Sequence, residues 1–422
     1  MTSLRILMFT TFYPPYSFGG DAVGVQRMAQ ALARRGHQVT VVHEEDAYLT
    51  LGGKPSADSA GDGVTRFGLR AVNGLASTLL TQQTGYPVWH RKRIAEICAQ
   101  GWDIIWHNNT SLVGGPGLLS YGEALKVYEA HEHWLVCPTH VLWRYGRELC
   151  TSRDCLKCVL SYKRPPQLWR YTGLLDRQLK SIDLIIAKSQ FSRHKHREFG
   201  LRQEMEVLPY FLDDLDLTTA PEAAQHDRPY FLFVGRLEKI KGLQDVFPAF
   251  AEDRGADLLI AGDGDYADEL KRLAGDNPRI RFLGRKPLDE LTAYYRGAEA
   301  LIVPSVCYET FGIILIESFR LGTPVIARRL GPFPEIVERA EAGILFSDAP
   351  GLEAAMSTML EDPRRRAQMA ANARRGFEEY WSEDKVLAQF GAAFARAASR
   401  KGDTRLSKLL VSGAFENGPA EL

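Results

Sequence analysis

Short apolar runs alternate with amphipathic stretches along most of the chain. Residues 4–11 form the first apolar run, an amphipathic stretch covers residues 23–35, and a second apolar run covers residues 37–43. Continuous apolar runs are typical of strands buried on both faces of a parallel sheet, and apolar residues at helical spacing indicate the connecting helices. The pattern predicts an α/β protein with parallel sheets.

The alternation continues to about residue 400 with one interruption. Before the interruption, further strands are predicted at 103–107, 126–129, 183–187 and 206–208, and helices at 88–99 and 168–180. After it, strands are predicted at 230–234, 256–261, 279–283, 299–303, 323–327 and 343–346, and helices at 242–254, 266–274, 287–296, 312–321, 351–360 and 363 to about 400. The interruption, residues 209–229, is rich in proline and charge. We interpret it as a linker between two doubly wound halves that face one another across a cleft.

The length agrees with this division, because 422 residues exceed what one hydrophobic core usually supports. We assign residues 1–212 to an N-terminal Rossmann-like domain that carries a cysteine-containing insertion at about residues 132–166. Residues 213–380 form the C-terminal Rossmann-like domain. Residues 381–400 are predicted to form a helix that packs back towards the N-terminal domain, and residues 401–422 to form a frayed or disordered tail.

Composition excludes several classes of protein. The 52 basic residues balance 52 acidic ones, which argues against a nucleic-acid partner. The first residues lack the basic region and uninterrupted apolar core of a signal peptide, and no apolar run is long enough to span a bilayer. Six cysteines in a chain of this length do not suggest a secreted disulfide scaffold. We therefore expect a cytoplasmic protein.

The stretch at residues 304–327 places a single acid on an apolar helix. Glu317 shares a helical face with Ile313, so its carboxylate either reaches water at the rim or accepts hydrogen bonds from vicinal hydroxyls of a sugar or ribose. Glu309 lies in the loop ahead of this helix, which Gly312 opens. Backbone N–H groups at a helix start favour a phosphate or an electron-rich ligand atom.

A second loop combines glycine with spaced cations. Gly235 ends the strand predicted at 230–234, and Arg236 and Lys241 follow it. A diphosphate suits such a loop, because the backbone can approach closely while a guanidinium and an ammonium supply positive charge. Gly262 forms a similar turn after the next strand. A solvated loop without a ligand is the alternative interpretation.

Taken together, these residues resemble the retaining glycosyltransferases of the GT-B fold, most closely glycosyltransferase family 4 (glycosyl transferases group 1). The resemblance covers nearly the whole chain. Its motifs are, in order, Gly19-Gly20, His131 within Glu129-Ala-His-Glu-His-Trp134, Gly235-Arg236 with Lys241-Gly242, Gly262-Asp263-Gly264, Glu309 to Glu317 at the E-x7-E spacing, Gly322-Thr-Pro-Val325, Gly331-Pro-Phe-Pro-Glu335 and Tyr380-Trp381-Ser382. The resemblance implies an acceptor-side first domain and a second domain that binds a nucleotide sugar.

The resemblance also implies roles for individual residues in a metal-independent, retaining hexosyltransferase. Glu317 would bind the ribose hydroxyls, and Arg236 and Lys241 would neutralise the diphosphate. Glu309 would hold hydroxyls of the transferred sugar. The other implied positions are His131 near that sugar, the backbone at Gly235, Gly262, Phe311 and Gly312, and Gly19 and Gly20 beside phosphate or acceptor. Front-side attack by the acceptor would leave no role for an enzymic nucleophile.

Two features leave alternatives open at this stage. His133 lies two residues after His131, and the sequence does not decide which of the two faces the cleft. The pairs Asp214-Leu-Asp216 and Asp263-Gly-Asp265 have the D-x-D spacing of metal-dependent transferases. One lies in the linker and the other in a turn, and we interpret both as coincidental.

The insertion contains four cysteines: Cys137, Cys150, Cys155 and Cys158. Four thiolates in a segment with little regular structure suit a structural zinc site, which would be the only cofactor expected. However, the spacing contains only one C-x2-C pair, and His131, His133 and His140 could compete as ligands. Reduced cysteines without a metal are the alternative.

Residues 141–200 are locally basic and contain interleaved aromatic residues. A solvated surface is the default interpretation. In an acceptor-side domain the region could instead contact an anionic lipid headgroup at the inner face of the membrane, or an extended polysaccharide. We expect a nucleoside-diphosphate sugar donor and a glycan or lipid-linked acceptor, in polysaccharide or glycoconjugate biosynthesis. Another GT-B enzyme, such as a sugar-nucleotide epimerase, and a non-catalytic binding scaffold are the alternatives.

Overall fold

The computed structural model describes residues 3–55 and 61–416, and the chain divides into two compact units. The first unit combines Met1–Pro209 with Val386–Leu422, and the second is Tyr210–Lys385. The division therefore falls before Tyr210 rather than after residue 212.

The first unit is built on a parallel sheet. Its strands are β1 (Arg5–Phe9), β2 (Gln38–Glu44), β3 (Val64–Leu69), β4 (Ile104–His107), β5 (Leu125–Ala130), the short hairpin β6 (Trp143–Arg144) and β7 (Glu148–Leu149), β8 (Leu184–Ala187) and β9 (Glu206–Val207). The sheet order is β3-β2-β1-β4-β5-β8-β9, and β6 and β7 pair separately. Its helices are α1 (Asp21–Arg34), α2 (Glu45–Thr50), α3 (Gly74–Thr84), α4 (Arg91–Cys98), α5 (Cys155–Ser161), α6 (Leu174–Gln178) and α7 (Gln190–Glu198).

The second unit repeats this architecture. Its strands are β10 (Tyr230–Val234), β11 (Asp257–Ala261), β12 (Ile280–Gly284), β13 (Ala300–Val303), β14 (Val325–Arg328) and β15 (Gly343–Phe346), in the sheet order β12-β11-β10-β13-β14-β15. Its helices are α8 (Ala267–Ala274), α9 (Leu288–Gly297), α10 (Ile313–Arg320), α11 (Phe333–Ala340), α12 (Ala349–Glu361) and α13 (Pro363–Tyr380).

Strand β10 is apolar at every position because both faces of its sheet are covered. Leu232 and Val234 lie in an apolar cluster with Phe319 of α10, whereas Phe231 and Phe233 lie in a second cluster on the other side. Successive side chains of a strand point to opposite faces, so a strand covered on both faces needs apolar residues at every position. This arrangement confirms the predicted two-sided burial.

The chain returns to the first unit after α13. Helix α14 (Glu383–Lys401) packs its Phe390 and Phe394 against Trp106 of β4, with ring centroids 5.5 and 4.8 Å apart. Helix α15 (Thr404–Val411) follows, with Leu406 and Leu410 buried. The prediction of a frayed or disordered tail is therefore wrong for residues 404–411, and residues 417–422 lie outside the described part.

Two further sequence predictions are wrong. Residues 242–254 form short 3-10 turns instead of a helix, because Gly242 adopts a left-handed conformation and Pro248 has no N–H to donate. The interpreted linker is part of the second unit. Leu212 is buried in its core, and the Leu212 N–H donates to the Trp381 carbonyl (3.1 Å).

Candidate active site

Two glycine turns meet at the carboxyl edge of the second sheet. Gly235 follows β10 and Gly262 follows the neighbouring strand β11, and a Cβ atom added to Gly262 would lie 1.9 Å from the Gly235 carbonyl oxygen. The Leu237 N–H also donates to the Asp263 carbonyl (2.9 Å). Only glycine permits this approach of the two backbones. The contact fixes the loop that carries Arg236 and Lys241.

Lys241 and Glu309 form an ion pair at this edge. The Lys241 Nζ lies 2.7 Å from Glu309 Oε1, and the side chains are 25% and 24% exposed. The Ser305 hydroxyl donates to the same oxygen (3.3 Å). Burial is the largest single influence on the pKa of Glu309 and raises it, but Lys241, with Ser305 and Arg236, more than offsets burial and the pKa is lowered overall. Burial likewise lowers the pKa of Lys241, but Glu309 and Cys307 together more than offset it and the pKa is raised. Both groups are charged at neutral pH.

Arg236 lies on the solvent side of the same loop. Its side chain is 63% exposed, and Nη1 is 2.9 Å from Glu238 Oε1. An exposed ion pair of this kind is weak, so the guanidinium can exchange Glu238 for an anionic ligand.

Helix α10 opens beside Glu309. Gly312 precedes the helix with φ of +112°, and an added Cβ would lie 2.7 Å from the ring of Phe333. Phe311 is buried against Tyr210. Glu317, on the second turn, is half-buried and accepts a hydrogen bond from the Tyr295 hydroxyl (3.3 Å). Tyr295 of α9 is therefore one partner of this carboxylate, and the sequence analysis missed it.

His131 lies at the carboxyl edge of the first sheet. It follows β5, and its Nε2 donates to Asn108 Oδ1 (2.9 Å), which follows β4. Burial is the main cause that lowers the pKa of His131, and Glu129 opposes it without outweighing it. The imidazole is therefore neutral in this fold at neutral pH.

A buried ion pair supports this histidine. Lys188 Nζ lies 2.6 Å from Glu129 Oε1, and that oxygen is 3.8 Å from His131 Nε2. Sequence reasoning missed Lys188 and Asn108. Each comes directly after a predicted strand, and polar residues at that position were the available signal.

The early glycines lie near the same histidine. Gly19 and Gly20 precede α1 with positive φ angles, and an added Cβ would meet nothing within 4 Å at either one. Asp21 accepts a hydrogen bond from the Asn109 side chain (3.0 Å) and interacts electrostatically with His131. The first unit thus gathers the predicted Gly19-Gly20 turn and His131.

His133 has different surroundings. Its ring stacks on His196 of α7, with centroids 5.3 Å apart. Burial, followed by His196 and Lys195, holds the pKa of His133 well below its ordinary value. These contacts are those of a core residue, whereas His131 is at the sheet edge.

The four cysteines of the insertion occupy one region, with Cys137 and Cys158 buried and Cys150 and Cys155 half-buried. Burial raises the pKa of Cys150 to about 11, and the other three thiols add to the shift. No three of the four sulfurs lie within 4.8 Å of one another. The zinc site stays a prediction.

The basic region presents apolar side chains to solvent. Leu156, Leu160, Leu168 and Tyr171 are exposed, whereas the aromatic residues Trp143 and Trp169 are buried. A cavity of about 450 Å³ in this unit is lined by residues that include Arg153, Cys155, Trp169, Arg170 and Tyr171. None of the described helices is long and apolar enough to cross a membrane.

Two family models match the chain: Glycosyltransferase Family 4 over residues 18–214, and Glycosyl transferases group 1 over residues 216–376. The uncharacterised glycosyltransferase MJ1607 of Methanocaldococcus jannaschii is 34% identical over 398 residues, which are 91% of this chain and 96% of the relative.

Solved structures show the same architecture. Sucrose-phosphate synthase from Thermosynechococcus elongatus has a TM-score of 0.72 at 19% identity, with 94% of this chain and 99% of that chain covered. Anabaena HepE, solved in complex with UDP-glucose, has a TM-score of 0.62 at 18% identity, with 94% and 99% covered. At these identities the likeness is one of fold, and it confirms two Rossmann-like domains of the GT-B type.

Proposed function

Because this chain belongs to the family 4 (group 1) glycosyltransferases, we propose that it is a retaining, metal-independent hexosyltransferase. It moves a sugar from a nucleoside-diphosphate donor to a glycan or lipid-linked acceptor in polysaccharide or glycoconjugate biosynthesis. The observation that carries the proposal is the Lys241–Glu309 pair beside two glycine turns at the carboxyl edge of the second sheet, where open α/β sheets bind ligands. Anabaena HepE was solved with UDP-glucose, which supports a donor of this class.

The pair has spare hydrogen-bonding capacity for both ends of the donor. An ammonium has three N–H donors, and Lys241 uses one of them on Glu309. The others can bind diphosphate oxygens, with the exposed Arg236 as a second cation. A carboxylate has about four acceptor sites, so Glu309 can also accept from hydroxyls of the transferred sugar. A carboxylate oxygen accepts more than one hydrogen bond, so Glu317 can accept from ribose hydroxyls while it accepts from Tyr295.

The proposed reaction needs charge stabilisation more than a nucleophile. The acceptor hydroxyl attacks the anomeric carbon on the face from which the diphosphate departs, and its proton passes to a departing phosphate oxygen. Lys241 and Arg236 stabilise the charge that develops on the leaving group. We assign His131 to the transferred sugar, with its neutral imidazole accepting or donating a hydrogen bond.

The acceptor proposal rests on the first unit. Exposed apolar residues and cations in residues 141–200 suit a lipid-linked acceptor at a membrane surface, and the exposed Tyr171 at the cavity offers an aromatic ring to a sugar. Vesicles of anionic and neutral lipid, compared in sedimentation, test the membrane contact. If the fraction of protein that sediments is the same without lipid, with anionic lipid and with neutral lipid, the membrane contact is excluded.

A donor screen tests the function. Calorimetric titration with several nucleoside-diphosphate sugars is followed by NMR of the product linkage, with and without EDTA. Binding of one donor, and transfer with retained configuration that persists in EDTA, are expected. Isomerisation of the free donor without acceptor would indicate an epimerase, and no binding of any donor would favour a scaffold.

A further inference from the structure

A buried cluster of metal-binding side chains lies in the first unit, apart from the donor residues. Glu44 ends β2, Asp46 lies in the first turn of α2, and His90 immediately precedes α4. Their ligand atoms lie within 4.8 Å of one another, and His90 Nε2 is 3.6 Å from Glu44 Oε2. Among the described residues, this is the one group of three or more such side chains that comes this close.

The cluster buries a carboxyl group that lacks a full set of hydrogen-bond partners. Glu44 is 2% exposed, and its Oε1 has no hydrogen-bond partner among the described residues. Burying a carboxyl group with an unpartnered oxygen is costly unless a cation or donor completes it.

Helix α3 covers the cluster with its polar face. Ser77, Thr78 and Thr81 are buried, whereas Leu75 is 56% exposed. The Ser77 hydroxyl lies 3.4 Å from His90 Nε2, and the Thr78 hydroxyl is buried without a partner in the described chain. A helix normally buries its apolar side. Helix α3 instead buries its polar side, so the space beneath it is lined by polar groups.

The second acid is held in place by backbone. Asp46 Oδ2 accepts a hydrogen bond from the Ala71 N–H (2.7 Å), and a Cβ atom added to Gly74 would lie 2.7 Å from Oδ1. Asp46 is therefore positioned by the segment that leads into α3. A ligand set whose members are fixed by different elements loses little conformational entropy on binding.

We propose that Glu44, Asp46 and His90 bind one divalent transition-metal cation, of the zinc or manganese type. Two carboxylates and one imidazole are ligands that such cations accept, and the cation would complete Glu44 Oε1. It would tie the end of β2 and the start of α2 to the start of α4. The site shares no residue with the proposed donor contacts, so it has a structural role and does not take part in transfer.

The test compares three full-length proteins purified without chelator: wild type, Glu44→Gln, and the control Glu45→Gln, which removes a neighbouring acid outside the cluster. Elemental analysis is expected to find about one equivalent less metal in Glu44→Gln than in the other two. After chelation, added Zn²⁺ or Mn²⁺ is expected to raise the thermal midpoint of the wild type and the control by about 5 °C and to leave Glu44→Gln unchanged.

Equal metal content in the three proteins, or equal midpoint shifts, would overturn the proposal. Glutamine has nearly the shape of a protonated glutamic acid, so Glu44→Gln is expected to fold, which circular dichroism checks. His90→Asn is a second variant that must lose the same equivalent. Retention of the metal by His90→Asn would count equally against the site.

Discussion

The ammonium of Lys241 lies 2.7 Å from the carboxylate of Glu309, and each group favours the charged form of the other. The two residues come from loops that follow β10 and β13, which are neighbours in the second sheet. The strand order therefore brings together residues that are 68 positions apart in the chain.

Replacing Lys241 with methionine is expected to lower kcat/KM for sugar transfer about a hundredfold. The substitution keeps the length of the side chain but removes the charge that stabilises the departing diphosphate. Lys239→Met is the matched control, because Lys239 is an exposed lysine in the same loop. Steady-state kinetics measure the effect, and unchanged kinetics in Lys241→Met would exclude the assigned role.

Replacing Glu317 with glutamine is expected to weaken binding of the nucleotide sugar about tenfold, since hydrogen bonds from ribose hydroxyls to a charged acceptor are lost. Isothermal titration measures the dissociation constant. Glu338→Gln serves as the control because Glu338 is an exposed acid of the same unit. Equal affinity of Glu317→Gln and wild type would refute ribose binding by Glu317.

Replacing His107 with phenylalanine is expected to make the protein more resistant to acid. His107 is fully buried against Phe9, and neither of its ring nitrogens has a partner among the described residues. Burial, with a smaller contribution from Lys126, lowers the pKa of His107 to about 3. The folded state therefore holds the neutral ring, whereas the unfolded state binds a proton. The free energy of unfolding therefore decreases as the pH falls below the ordinary histidine pKa of about 6.5.

The loss from this one group amounts to about 2 kcal/mol between pH 7 and pH 5. Urea unfolding at both pH values is expected to show a smaller decrease for His107→Phe than for wild type, with no loss of stability at pH 7. His194→Gln is the control, because His194 is largely exposed. An equal acid-induced decrease in His107→Phe and wild type would contradict the prediction.

A separate prediction concerns the four cysteines of the insertion. If Cys137, Cys150, Cys155 and Cys158 bind zinc, Co²⁺ added to chelated protein produces thiolate-to-metal charge-transfer absorption, which Cys155→Ser with Cys158→Ser abolishes. The control is Cys98→Ser, a buried cysteine outside the cluster. Spectra without thiolate-to-metal absorption would indicate four reduced cysteines that bind no metal. This signal is independent of the Glu44–Asp46–His90 cluster, which contains no sulfur.

Most of the sheet architecture was predictable from the sequence. Strands such as β10 are apolar at every position, and two-sided burial requires that pattern. Strand β3 and helix α3 were not predicted, because their sequences lack such a clear pattern. Strand β3 mixes Thr65 and Arg66 with apolar residues, and α3 buries hydroxyls while exposing leucines, so neither shows the expected periodicity.

The candidate site was predictable as a set of residues but not as a set of contacts. The order of motifs singled out Lys241, Glu309 and Glu317. No local pattern indicated that Tyr295 would donate to Glu317 or that Lys188 would pair with Glu129 beside His131. Such pairings depend on which strands become neighbours in each sheet, and sequence spacing alone does not determine this.

The return of the chain from α13 to the first unit has a consequence for biosynthesis. All of the second unit has left the ribosome once Lys385 emerges, whereas the first sheet still lacks α14. Trp106 therefore remains without Phe390 and Phe394 until the last part of the nascent chain is made. A premature stop codon directly after the second unit would leave an apolar strip of the first sheet exposed, and chaperones and proteases would recognise it.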